Sequence, residues 1–235
     1  MIYKLKHKKT EEIAKDTIGM YFEKPEGFDF SAGQSMRFVY PELNNESRTF
    51  TIASAPHEDD LFFAMRKRRS MFKKKLSSLK PGDTVEVEGP LGERFILHED
   101  ESIPAVFIAG GVGITPLYSM LKDIIHKGKK YHVTLLYSNR REEDIAFLDE
   151  VKKIDTEYEN IKVVCTMTRD FKKDPNWEGE RAYVDVNMVK KYVSDIATPL
   201  FYISGSPMMV VSMKEKLELG GVSADHIVTK KFTGY

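Results

Sequence analysis

One cysteine in 235 residues removes whole classes of chemistry. A single thiol cannot close an internal disulfide, and an iron–sulfur cluster needs about four thiolate ligands. Cys165 lies inside the apolar run Ile161–Thr166, where a thiol behaves as a small buried hydrophobe. Any redox centre must therefore be organic. Metal ligation is as poorly provided: His7, His57, His98, His126, His132 and His226 share no spacing such as His-x-x-x-His, and no metal is assigned. No Ser–His–Asp set for nucleophilic catalysis can be assembled. Neither charge is in excess, with 36 basic and 36 acidic residues, so bulk electrostatics recruits neither nucleic acid nor an anionic membrane. No uninterrupted apolar run is long enough to span a bilayer. The opening MIYKLKHKKT alternates like a strand and lacks the apolar segment of a secretory signal, so a cytoplasmic location is expected.

What is there falls into two successive patterns. Residues 1–99 read as short strands broken by turns. Within Glu12–Phe22, residues Ala14, Ile18, Met20 and Phe22 share one parity, with Lys15 and Thr17 on the other. Thr84–Glu88 alternates cleanly, and Gln34–Tyr40, Arg48–Ser54 and Leu61–Arg66 are further strands. Turn residues punctuate them at Pro25-Glu26-Gly27, Asn44-Asn45, Pro81-Gly82-Asp83 and Gly89-Pro90-Leu91-Gly92. About six strands, with one short helix near Ser70–Leu79, predict a six-stranded antiparallel β-barrel. Residues 100–235 alternate strand and helix instead. Strands at Ala105–Ala109, Tyr131–Ser138, Ile161–Thr166 and Leu200–Ser204 interleave with helices at 117–125, Glu142–Ile154, Asn187–Val193 and Pro207–Leu219. That order predicts right-handed βαβ units and a Rossmann-like parallel sheet covered on both faces. The boundary falls near His98–Ile103, and Trp177, in the polar loop Asp170–Glu180, is expected to pack over the domain edge.

The segment Ile108-Ala109-Gly110-Gly111-Val112-Gly113-Ile114-Thr115-Pro116 ends the first strand of the second half and starts its helix. Its glycines let the backbone approach a ligand without an intervening Cβ. The helix then points unpaired N–H groups and its positive end at that place, which favours a phosphate.

Arg48-Thr49-Phe50-Thr51 precedes this turn, and Ser204-Gly205-Ser206-Pro207-Met208-Met209 and Phe232-Thr233-Gly234-Tyr235 follow it. In this order the four segments make the chain resemble the ferredoxin–NADP reductase family over nearly its whole length. The resemblance implies an FAD-dependent NAD(P)H oxidoreductase: a flavin barrel at 1–99 and a nicotinamide-nucleotide domain at 100–235. Hydride would pass from NADPH, or NADH, to flavin N5. Electrons would then leave for a small acidic carrier of ferredoxin or flavodoxin type, or for an oxygenase. FMN in place of FAD, a subunit active only inside an oxygenase or dehydrogenase complex, and a non-catalytic flavin-binding regulator are the alternatives.

Residue by residue, the resemblance places Arg48, Thr49, Phe50, Thr51, Met65, Arg66 and Ser70 on the flavin, with Arg48 on its pyrophosphate and Thr51 near N5. Gly110, Gly111, Gly113, Ile114, Thr115, Pro116, Gly205, Ser206 and Pro207 would hold the nicotinamide nucleotide. Phe232 or Tyr235 would cover the flavin face that nicotinamide must reach. Thr51, Ser204 and Tyr235 are the catalytic candidates. The chain departs from the family pattern at Phe50 (tyrosine expected), Lys67 (glycine), Ser204 (cysteine), Ser206 (proline) and Lys230-Lys231 (an acidic residue). Ser138-Asn139-Arg140-Arg141 offers cations for a 2′-phosphate, with Arg140 the nominated contact, although both arginines could pair with Glu142–Asp144. In Arg66–Lys75, seven of ten residues are basic, and those not on the flavin could form a docking face for an acidic carrier.

Overall fold

Alternating burial along the first strands bends them around one apolar core. In the computed structural model, which describes residues 1–67, 69–169 and 177–233, the strands are β1 (Ile2–Ala14), β2 (Thr17–Glu23), β3 (Ser35–Tyr40), β4 (Glu46–Thr51), β5 (Asp60–Arg66) and β6 (Thr84–Leu91). They pair antiparallel in the order β4-β3-β6-β1-β2-β5. The sheet closes on itself just past β4, where Ile52 bridges Phe63 and the Ala53 N–H donates to the Phe62 carbonyl at 2.7 Å. Inside, Phe38 meets Phe22 and Phe63 edge to face at 5.7 and 4.9 Å. Helix α1 (Met71–Ser77) plugs the barrel with Phe72 and Leu76.

The single strand expected across Glu12–Phe22 is instead a hairpin between β1 and β2. Asp16 takes the left-handed conformation (φ 54°), which Asp adopts more readily than most side chains. Parity runs unbroken through the turn, so the alternation alone did not reveal it.

The second half is a parallel sheet in the order β11-β10-β7-β8-β9. Its elements are β7 (Ala105–Gly110), α2 (Ile114–His126), β8 (Val133–Asn139), α3 (Leu148–Glu157), β9 (Ile161–Met167), α4 (Val186–Tyr192), β10 (Leu200–Gly205), α5 (Pro207–Leu219) and β11 (Ile227–Lys231). The helix expected from Glu142 starts only at Leu148. Glu142–Asp144 form a 3-10 turn, and Ile145, Ala146 and Phe147 are buried before the helix begins. From central β7 the chain moves outward to β8 and β9, then returns to the other side as β10. The carboxyl ends of β7 and β10 are therefore a switch point, the place where such sheets bind ligands.

Both halves meet in one interface. The Ser119 hydroxyl donates to the Ser54 carbonyl at 2.6 Å, Arg66 pairs with Asp144 at 3.0 Å, and Phe62 packs edge-on against Phe147. The connecting segment is anchored at His98, whose N–H donates to the Tyr202 hydroxyl and whose Nε2 lies 2.9 Å from the Ile103 carbonyl. Trp177 is buried over the edge of β9, its indole N–H donating to the Glu180 carbonyl. Among the described residues, no helix is long and apolar enough to cross a membrane.

Candidate functional site

Two clefts open side by side where the lobes meet. The first, about 520 Å³, is lined from the barrel by Ser35, Arg48, Thr49, Phe50, Thr51, Met65, Arg66 and Lys73, and from the other lobe by Val112, Lys230 and Phe232. The second, about 590 Å³, lies over the carboxyl ends of the parallel strands. Gly110, Gly111, Asn139, Arg140, Thr168, Arg169, Ser206 and Lys216 line it. Arg66 borders both, and the Gly110–Val112 turn separates them. A larger cleft of about 780 Å³ is walled by Glu11, Glu12, Glu58, Asp59, Asp60, Asp149 and Glu150, and such walls repel phosphates.

The first cleft gathers six of the seven nominated flavin residues. Arg48 stacks over Phe72 at 5.5 Å and pairs with Glu46 at the cleft rim. Thr51 is buried, its hydroxyl 3.3 Å from the Ser35 hydroxyl. Phe50 is held edge-on by Phe38 at 5.3 Å, so its ring belongs to the barrel core as much as to the cleft. Ser70 does not line the cleft. It caps α1, accepting from the Lys73 N–H at 3.3 Å, and the residue it positions, Lys73, takes its place on the wall. Of the basic residues expected on the surface, Lys67 and Lys75 pair with Glu12 and Glu42, while Arg69 and Lys74 are exposed on that side.

In the second cleft the glycine turn divides its labour. Gly110 and Gly111 face the ligand space, Gly111 with φ 52°. Gly113 packs beneath, where an added Cβ would stand 2.5 Å from the Ser204 carbonyl oxygen and 2.8 Å from Gly205 Cα. Ile114, Thr115 and Pro116 are buried behind the turn, with the Thr115 hydroxyl returned to the Val112 carbonyl. Of the nominated Gly205, Ser206 and Pro207, Ser206 lines the cleft. It also caps α5, Pro207 opens that helix, and Gly205 lies against the Met209 sulfur. Ser204, expected to act in catalysis, is wholly buried and lines neither cleft, and its hydroxyl has no partner among the described residues. Phe232 lines the first cleft and donates its N–H to the Gly205 carbonyl at 2.8 Å. Tyr235 lies outside the described residues.

The two open readings of Arg140 and Arg141 separate here. Arg141 turns to Glu143 at 3.8 Å, while Arg140 lines the cleft without a carboxylate partner among the described residues. Beside it stands Arg169, whose N–H donates to the Arg140 carbonyl at 2.9 Å. Thr168, Arg169, Ser212 and Lys216 were not nominated from the sequence. The signal existed for the first two, which directly follow β9 at a strand's carboxyl end.

The donor set fits a flavin and a pyridine dinucleotide. Asn139 is 5 % exposed and lines the second cleft, yet neither atom of its amide is bonded among the described residues. Buried amides are rarely left so without a ligand to satisfy them. Guanidinium and ammonium groups bordering both clefts suit pyrophosphate and phosphate.

Comparison with known proteins agrees. The family described as an FAD-binding domain matches residues 2–110, and the family described as an oxidoreductase NAD-binding domain matches residues 107–215. Ferredoxin–NADP reductase B of Sorangium cellulosum is 32% identical over 90% of this chain and 89% of its own length. The reductase component of propane 2-monooxygenase from Rhodococcus jostii is 29% identical over 95% of this chain, which spans 61% of that protein. The solved structure of an Amycolatopsis cytochrome P450 reductase superposes on 99% of this chain and 71% of its own, with TM-score 0.84 and 25% identity. Two adjoining clefts lined by basic groups on a barrel and a parallel sheet, with a relative of this similarity over nine-tenths of the chain, place the chain in the ferredoxin–NADP reductase family of FAD-dependent NAD(P)H oxidoreductases.

Proposed function

We propose that the chain takes hydride from NADPH and delivers single electrons to a small acidic carrier of ferredoxin or flavodoxin type, or to an oxygenase. The observation that carries this reading is the meeting of the two clefts at the Gly110–Val112 turn, with Val112 on one side and Gly110 and Gly111 on the other. Two ligands seated there would be brought together, and near-attack placement at about 3–3.5 Å supplies much of such a rate. Bound FAD supplies the electronic chemistry, taking a two-electron hydride and giving electrons up singly.

The chain's own residues bind, orient and exclude water. Arg48 would exchange Glu46 for the flavin pyrophosphate, assisted by Lys73. Thr51 would stand at the hydride-accepting edge. Gly110, Gly111 and Ser206 would hold the nucleotide's pyrophosphate, and Arg140 and Arg169 its 2′-phosphate. Phe232 would cover the reactive face and give way to the nicotinamide. Arg69, Lys74 and Lys231 are exposed cations suited to steering an acidic partner, an attraction that salt weakens.

The test is direct. Purified protein should be yellow and release FAD, and stopped-flow mixing should bleach it faster with NADPH than with NADH. Added ferredoxin or flavodoxin should restore the colour, more slowly as salt rises. A protein that binds FAD but is bleached by neither nucleotide is a regulator, and the proposal fails.

A further inference from the structure

Lys230, on the wall of the flavin-side cleft, is both tied inward and strongly perturbed. Its ammonium donates to the Gly33 carbonyl and to the Ser35 hydroxyl, each at 2.7 Å, and lies 5.6 Å from the centre of the Phe95 ring. The Ser35 hydroxyl is in turn 3.3 Å from that of Thr51. An unbroken polar line therefore runs from the last strand of one lobe to the cleft-lining threonine of the other.

We propose that Lys230 is a positioning residue that places a positive charge behind Ser35 and Thr51 and so favours reduced flavin over oxidised flavin in the cleft. The inference rests on the flavin occupying that cleft. Its basis is charge balance. A hydride brings two electrons and one proton to a neutral ring system, leaving one net negative charge. A cation a few ångströms away stabilises that product and not the starting state.

Burial pushes the Lys230 ammonium down to about 7. The charged groups lining the same cleft, Arg48, Arg66, Lys73 and Lys231, are all basic, and Arg48 is paired with Glu46, which does not line it. Ser35 on β3, Thr51 on β4, Phe95, and Ser204, which is in register with Lys230 on β10, carry no acid. The charge is thus present below about pH 7 and lost above it. A negative ring system in the cleft raises the ammonium's proton affinity in turn, by linkage.

The experiment measures the midpoint potential of bound FAD at pH 6 and pH 9 in wild type, Lys230→Met and Lys230→Arg. At pH 6, wild type and Lys230→Arg should hold reduced FAD, relative to oxidised, about tenfold tighter than Lys230→Met. Tenfold is about 30 mV for a two-electron couple. At pH 9 wild type should fall to the level of Lys230→Met, while Lys230→Arg keeps its advantage. Coincidence of wild type and Lys230→Met at pH 6 overturns the inference. If Lys230→Met does not fold, equal pH dependence in wild type and Lys230→Arg overturns it instead. Wild type that binds no FAD would mark failure of the cleft assignment, a different result seen before any variant is compared.

Discussion

At the carboxyl ends of β8 and β9, Arg140 and Arg169 stand side by side on the second cleft, joined through their backbones and without a carboxylate partner among the described residues. A charge-assisted hydrogen bond contributes about 1.5–3 kcal/mol. Arg140→Ala and Arg169→Ala should therefore each raise KM for NADPH by roughly 10- to 100-fold, and leave KM for NADH nearly unchanged, in steady-state assays with a dye acceptor. Equal losses with both nucleotides would remove the 2′-phosphate from this place. Arg140 could be nominated from its position after the second strand. Arg169 carried the same strand-end signal after β9, but its place beside Arg140 is set by the sheet, which brings the two strand ends together. Ser204 shows the reverse. Its motif suggested chemistry, but the strand burial of β10 takes its hydroxyl away from both clefts. Cys165 was legible from its apolar run alone, and burial pushes its thiol up to about 12.

Among the elements, the glycine turn after β7 is where local conformation and packing diverge. Gly113 has φ −63° and ψ −9°, which any residue adopts, so conformational freedom is not its reason. Space is. Its missing Cβ would strike the backbone of Ser204 and Gly205, which cannot swing aside as a side-chain tip can. Gly113→Ala should cost about 1–3 kcal/mol, as overpacking a close-packed site does, read from the denaturant midpoint. An unchanged midpoint would refute the close approach. Helix α5, at Pro207–Leu219, matches its reading to the residue, because Ser206 and Pro207 are start signals that act locally. The helix expected over Glu142–Ile154 instead runs Leu148–Glu157, without its first turns. Asp144 is drawn instead to Arg66 of the barrel, an attraction no local pattern carries.

Across the molecule, that same pair ties the lobes together beside both clefts. The Arg66 and Asp144 side chains are only 17% and 9% exposed, so removing either partner strands a charge with little water to receive it. Asp144→Ala and Arg66→Ala should each lower the unfolding free energy by about 2 kcal/mol. The double variant should lose clearly less than the sum, in a double-mutant cycle. Strict additivity would show that the pair contributes no coupling. Arg66→Ala should also weaken FAD binding, since its guanidinium borders the flavin side.

The barrel and the parallel sheet, their strand and helix periods and the glycine turn after β7 were all legible in the linear chain, because burial parity, caps and glycines act over a few residues. What waited for three dimensions was everything set by residues distant in the chain. The β1–β2 hairpin hidden in one parity, the retreat of Ser204, the cation pair at Arg140 and Arg169, and Lys230 reaching Gly33 and Ser35 across nearly 200 residues are of that kind. Charge and hydrogen-bond partners at such sites are chosen by sheet order and lobe docking, and neither leaves a periodic mark on the residues it brings together.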